Sequence, residues 1–341
     1  LSEITCFVYL YRYYQSVKHE IAMEIKQSVN YKYRGIRKTV KDILAVSVPM
    51  SIGPIVGGIN KNIDSMTIVR GLKNFMTETE AKLQYGILSG KIDTLVAFPL
   101  SFNSAFSSVL IPTVSSAKAS GDYTDATRKI RFSMLVSVLI GLPSTVGMII
   151  LADPILKLLF PNQPEGAFLL QISALSITFM MLGQNINSVL HGLGKTMIPT
   201  VALGIGSTVK LLLNTILVKI NPEEFILGGT AGAAVATVVC QILICLMEFK
   251  ILKKSISLDW GIRDFVKPLI ATGMMGVCLW FFYQTFLGIF SRNGSILLAV
   301  FLSVLIYMLL LLVLKVFSER EIKMLPAGEV IYRLMKTLKI Y

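Results

Sequence analysis

Six polar side chains stand out because they fall inside apolar runs: Lys61 and Asp64, Lys91 and Asp93, Lys210 and Asn214. A charge at mid-bilayer costs about 2.5–3.5 kcal/mol even on a lenient scale, so such groups face a bundle interior or a watery cavity. Lys61 and Asp64 are three residues apart, Lys210 and Asn214 four apart, and each pair therefore shares one helix face. Arg70 closes the outer end of the first run. Cationic groups in a cavity suit an anionic passenger, a pyrophosphate or an acidic sugar held by charge. An unpaired lysine has no place in lipid, so Lys210 is expected to meet Asp64 or Asp93, read as the only carboxylates within spans. The alternative for any one pair is an ion pair that only fixes helix packing. Ser101, Asn103, Ser104, Ser107 and Ser108 spread around the second run and would wet one side of it.

Other chemistries lack their residues. There is no acidic pair of the DxD kind, no HExxH and no GxSxG, and His19 and His191 both lie outside the apolar spans. Gly192-Leu193-Gly194-Lys195 lacks the spacing of a phosphate loop. The reading is therefore a non-enzyme with no catalytic residues, no cofactor and no metal. Cys6, Cys240, Cys245 and Cys278 sit in apolar stretches without CxxC spacing and read as small buried hydrophobes.

The elements that must position these groups are membrane helices. The chain is 54% hydrophobic and 16% charged, where soluble domains run near 25% charged. The fold class is all-α, a polytopic membrane helical bundle. The stretch from Asp42 to Arg70 is long enough to cross a bilayer. Its Pro49, Pro54 and Gly57-Gly58 suggest a broken helix lining a cavity. Seven further spans follow, near 84–116, 132–152, 167–190, 196–218, 226–249, 265–290 and 295–316. Pro99, Pro112 and Pro143 also lie within spans, and Pro49, Pro54, Pro99 and Pro112 are candidate conformational hinges. Gly228, Gly232 and Ala236 recur every four residues, which reads first as close helix packing.

Loop charge sets the orientation. Of 33 Lys and Arg, 24 fall in the alternate loops 12–41, 117–131, 191–195, 250–267 and 315–341, against 6 in the opposite set. The first set is expected to be cytoplasmic, and the C-terminus with it. The net charge of +13 is thereby explained without nucleic acid as a partner. The expected organisation is the end of a preceding span at 1–14 and a basic interlobe linker at 15–41, read either as an interfacial amphipathic helix or as a solvated cytoplasmic linker. A six-helix lobe at 42–254, two additional helices at 255–317 and a basic tail at 318–341 follow. Leu1 opening in mid-span suggests the C-terminal portion of a longer protein.

Four stretches resemble a known family: VSVPMSIGPIVGGINKNIDSMTIVRGL, YGILSGKIDTLVAFPLSFNSAFSSVLIPTVSSAKASGD, SVLHGLGKTMIP and GGTAGAAVAT. Their order and spacing over residues 40–250 are similar to the multidrug/oligosaccharidyl-lipid/polysaccharide exporter superfamily, in its stage V sporulation protein B or polysaccharide-biosynthesis branch. The resemblance implies a C-terminal lobe plus two extra helices of a fourteen-helix, two-lobe transporter in the cytoplasmic membrane, working by alternating access. The implied passenger is a lipid-linked oligosaccharide, lipid II-like or a polysaccharide unit; a drug/cation antiporter of the same superfamily is the alternative. The implied partners are the lipid bilayer, the N-terminal lobe of the same protein, and cell-wall or polysaccharide synthases. Related lipid II flippases hold a sodium ion, for which this chain offers Asp64, Asn214 and Thr237 or Thr230. Lys210 departs from such a site, and its ammonium is expected to stand where the cation would.

Overall fold

The computed structural model describes residues 2–27, 35–256 and 263–316. The tail at 318–341 lies outside the described residues. Residues 1–47 and 48–341 cluster as two compact units. The first holds helix α1 (Ser2–Gln27) and the start of α2 (Ile36–Leu72). Helix α1 continues through Tyr14 without interruption, and nearly all of its described side chains are exposed.

In the second unit α2 is followed by α3 (Glu78–Gly86), a π-helical turn (Ile87–Ile92) and α4 (Asp93–Ser120). Then come α5 (Thr124–Ile150), α6 (Ala152–Leu159), α7 (Ala167–Ala174), α8 (Ile177–Gly192) and α9 (Met197–Leu217). The last three are α10 (Gly229–Ser255), α11 (Arg263–Leu287) and α12 (Arg292–Val313). No strand occurs among the described residues. Among the described residues seven helical segments are long and apolar enough to cross a membrane, and they match the second to eighth predicted spans. The protein is a multi-pass membrane protein. The first predicted span lies within α2, whose 37 residues measure about 55 Å. Lys61, Asn62 and Asp64 leave it less apolar than the other seven.

Two irregularities differ from expectation. Helix α2 is not broken: it runs through Pro49 and Pro54, since each proline removes one hydrogen bond while the turns on either side continue. The interruptions occur instead where no proline marks them. One is the π-helical turn ahead of Asp93, a widened turn of the kind often found at functional sites. The other separates α7 from α8 at Leu175–Ser176, where backbone bonds tighten to three residues. There the Thr145 hydroxyl of α5 donates to the carbonyl of Ala174, at 3.1 Å.

Two apolar clusters hold the bundle. One joins Ile68 and Leu72 of α2, Ile87 and Ile92 of the π turn, and Leu170, Ile177 and Met181 of α7 and α8. The other joins Val114, Ile130, Met134, Ile186, Leu190 and Leu252 from α4, α5, α8 and α10. Helices α9 and α10 approach closely because glycine leaves room. A Cβ on Gly232 would lie 2.6 Å from Leu217 Cβ, and one on Gly206 2.6 Å from Ile244 Cγ1. The turn from α8 to α9 is tied to α4, with Lys118 Nζ donating to the Leu193 carbonyl at 2.7 Å and Ser115 Oγ to that of Gly192 at 3.1 Å.

Helices α11 and α12 pack on α5 through Leu135, Leu139, Ala271, Met275, Tyr307 and Leu311, with Tyr307 Oη donating to the Leu139 carbonyl. Their outer side chains, such as Val277, Phe281, Leu297 and Phe301, are apolar and exposed. Of the four cysteines, Cys240 and Cys245 are buried and Cys278 is half-buried, but Cys6 is exposed on α1, contrary to the sequence reading.

Candidate functional site

The polar groups flagged in sequence divide into those that converge and those that stand apart. Lys210 and Asp64 converge. Lys210 sits on the face of α9 that packs inward and is 4% exposed. Its Nζ lies 2.5 Å from Asp64 Oδ2 of α2. One turn further on, Asn214 is fully buried and donates from Nδ2 to Asp64 Oδ1 at 3.0 Å and to Thr67 Oγ1 at 3.2 Å. The spacing of four residues on α9 meets a spacing of three on α2, so the two helix faces interlock through a single carboxylate.

Asp93 follows the π turn on an exposed face of α4 and lies within electrostatic reach of Lys210, Asp64 and Lys61. Lys61 is exposed on α2, as is Arg70 near its end. Lys91 is directed elsewhere: its Nζ donates to the Gln163 carbonyl at 2.7 Å and lies 5.4 Å from the centre of the Phe160 ring. Pro99 and Pro112 sit inside α4, the first buried and the second exposed, without interrupting it.

A sodium ion would need several converging oxygen ligands. Here both Asp64 oxygens accept hydrogen bonds, Asn214 turns its nitrogen to the carboxylate, and the Lys210 ammonium occupies the place beside it. Thr237 uses its hydroxyl on the Ala233 carbonyl of its own helix. With the Lys210 ammonium in place Asp64 offers no free carboxylate to a sodium ion, although Asn214 Oδ1 is buried without a hydrogen-bond partner. The group is an internally neutralised ion pair.

A second polar centre lies between α4, α5 and α8. Asn103 Nδ2 donates to the Met181 carbonyl and to Gln184 Oε1, both at 2.9 Å. Ser137 Oγ donates to Asn103 Oδ1 at 2.7 Å, and Asn185 Nδ2 donates to the Ser133 carbonyl at 2.9 Å. Asn103, Asn185 and Ser137 are fully buried. Of these, only Asn103 was singled out from sequence. A signal for Gln184 and Asn185 is present in Gly183–Asn187, where three amides occur within four residues of an apolar span, whereas Ser137 has none. Ser101, Ser104 and Ser108 instead bond carbonyls of their own helix on its exposed face.

The reading that Asp64 and Asp93 are the only carboxylates within spans is corrected by Glu248. It is fully buried well inside α10 and within the predicted span 226–249.

Comparison with known proteins agrees with this architecture. A family model described as lipid II flippase MurJ matches residues 18–301. The chain is 25% identical over 279 residues to the lipid II flippase MurJ of Bacillus subtilis (strain 168), covering 80% of this chain and 50% of that protein. It is 22% identical over 337 residues to the stage V sporulation protein B of the same organism, covering 97% and 62%. The chain thus spans about half the length of the curated relatives it matches. The solved structure of a lipid II flippase MurJ in an inward closed conformation superposes with a TM-score of 0.59 at 19% identity, covering 84% of this chain and 57% of that one. That likeness establishes the shared fold. With an all-helical membrane bundle and a family match over most of its length, the chain belongs to the lipid II flippase MurJ family.

Proposed function

We propose that the protein moves a lipid-linked oligosaccharide, lipid II-like or a polysaccharide repeat unit, across the cytoplasmic membrane by alternating access. In this reading the chain supplies one lobe of a two-lobe transporter, followed by two further helices and a cytoplasmic C-terminus. The observation that carries it is the buried Lys210–Asp64 pair in a chain of this family. A pyrophosphate passenger offers oxygens able to compete with Asp64 for the ammonium, while Lys61 adds positive charge nearby. Passenger binding would then loosen the link between α2 and α9, a change one lobe can use to reorient. The basic side chains oppose a cationic passenger. Cell-wall or polysaccharide synthases are the partners this role would require. Because Asp64 is already paired with Lys210, the proposed cycle uses no sodium.

The test is transbilayer movement of labelled lipid II and of undecaprenyl-linked disaccharide by the full-length protein in proteoliposomes. Movement that is lost in both Asp64→Asn and Lys210→Met supports the reading. Absence of movement of either lipid by the wild type overturns it.

A further inference from the structure

Glu248 is a second buried charge, and unlike Asp64 it has no cation beside it. Its side chain is fully buried between α10 and α8, where a Cβ on Gly183 would lie 3.7 Å from Oε2. Asn187 of α8 faces it. Turned as a donor, the Asn187 amide nitrogen stands 2.7 Å from Oε1 and 3.1 Å from Oε2. Turned the other way, the amide oxygen can accept only from a protonated carboxyl.

Of the helices packed against α10, α2 carries Asp64, which pairs with Lys210, and Lys61 and Arg70, both exposed, and the others bring no neutralising group. Helix α7 carries no titratable residue, α8 only His191, and α9 only Lys210, which is held by Asp64. Helix α4 carries Asp93 and Lys118, and Lys118 is bonded to the Leu193 carbonyl. The charged residues of α5, Asp125, Arg128, Lys129 and Arg131, cluster in its first two turns. On α10 itself the titratable groups are Cys240, Cys245 and the lysines Lys250, Lys253 and Lys254. None of these forms an ion pair with Glu248 among the described residues. A carboxylate in such a place is strongly disfavoured unless it takes up a positive charge.

A way in exists. A cavity of about 280 Å³ lies beside the pair, lined by the amides Gln184, Asn187 and Gln241 among apolar side chains. Asn187 is shared: it lines the cavity on one side and faces Glu248 on the other. Both carboxylate oxygens face that one amide, so no set of oxygens is open to a metal ion, whereas a proton needs only one.

We propose that Glu248 is a proton-binding site that exchanges its proton with water entering this cavity, the Asn187 amide turning to donate to the carboxylate or accept from the acid. Its protonation reverses the direction of the hydrogen bond between α8 and α10. The link thus has two arrangements that a transmembrane proton gradient can bias during transport. The coupling rests on the transport reading above; the proton site does not.

The experiment follows the carbonyl stretch of protonated carboxyl groups by infrared difference spectroscopy, titrating the full-length protein in lipid vesicles. The same vesicles are assayed for movement of labelled lipid II under an imposed pH gradient. A carboxylic-acid band that grows as pH falls is expected in the wild type and lost in Glu248→Gln, which keeps the shape and a hydrogen bond to Asn187. In Asn187→Leu the band should shift but remain, a readout that does not depend on deleting the acid. A wild type without such a band, or a band that persists in Glu248→Gln, overturns the site. Gradient-driven acceleration lost in Glu248→Gln supports the coupling; equal acceleration in both proteins overturns it. A wild type that shows the band but moves no lipid II supports the proton site while removing the proposed passenger.

Discussion

Lys210 and Asp64, 146 residues apart in the chain, meet as an ion pair with side chains only 5% and 22% exposed. Removing one partner of a buried pair costs more than removing both, because the survivor stays charged without compensation. Asp64→Leu and Lys210→Met are each expected to lose about 3 kcal/mol of stability, and the double variant to recover most of it. Thermal unfolding of the four purified proteins in one detergent checks this, and additive losses would contradict it.

The proposed cycle, with Lys210 as its tethered cation, predicts transport independent of sodium. Replacing sodium by potassium or choline in the vesicle experiment should leave the wild-type rate unchanged. In Lys210→Ala the vacated space and the freed Asp64 oxygens become available to a cation, so sodium dependence should emerge there. A wild-type rate that tracks sodium contradicts the assignment of Lys210 as a tethered cation.

The contact between α9 and α10 tolerates no added carbon. Gly232→Ala would set its Cβ 2.6 Å from Leu217 Cβ and should destabilise by about 1–3 kcal/mol. Gly57→Ala in α2 meets nothing within 4 Å and should be neutral or stabilising by up to about 1 kcal/mol, through helix propensity. Compared by unfolding temperature, Gly232→Ala should fall below the wild type and Gly57→Ala should not.

The amide and hydroxyl network around Asn103 is vulnerable to loss of one member. Asn103→Leu removes the side-chain donor to the Met181 carbonyl and one acceptor of Ser137 Oγ, which keeps the Ser133 carbonyl and Asn185 Nδ2, all in buried surroundings. A loss of about 1–3 kcal/mol is expected. Ser101→Ala, on the exposed face of the same helix, should change stability little. Equal effects of the two variants in chemical unfolding would show that the network contributes nothing specific.

Seven of the spans and the membrane class of the protein were legible in sequence because they depend on local quantities. Twenty or so apolar residues in succession leave a helix across the bilayer as the available structure, whatever its neighbours. The residue types also marked Lys210, Asp64, Asn214 and Asn103 as groups that lipid would not accept. Only the tertiary structure decided what each one meets. It chose Asp64 over Asp93 for Lys210, sent Lys91 to the Gln163 carbonyl, and drew Asn185, Ser137 and Glu248 into the interior. It also put the helix irregularities at Ile87–Ile92 and Leu175–Ser176 rather than at Pro49 or Pro54. The reason is physical. A span is selected by its own hydrophobicity, whereas a pairing depends on how far each helix rotates and slides against others distant in sequence, and no local pattern fixes that rotation.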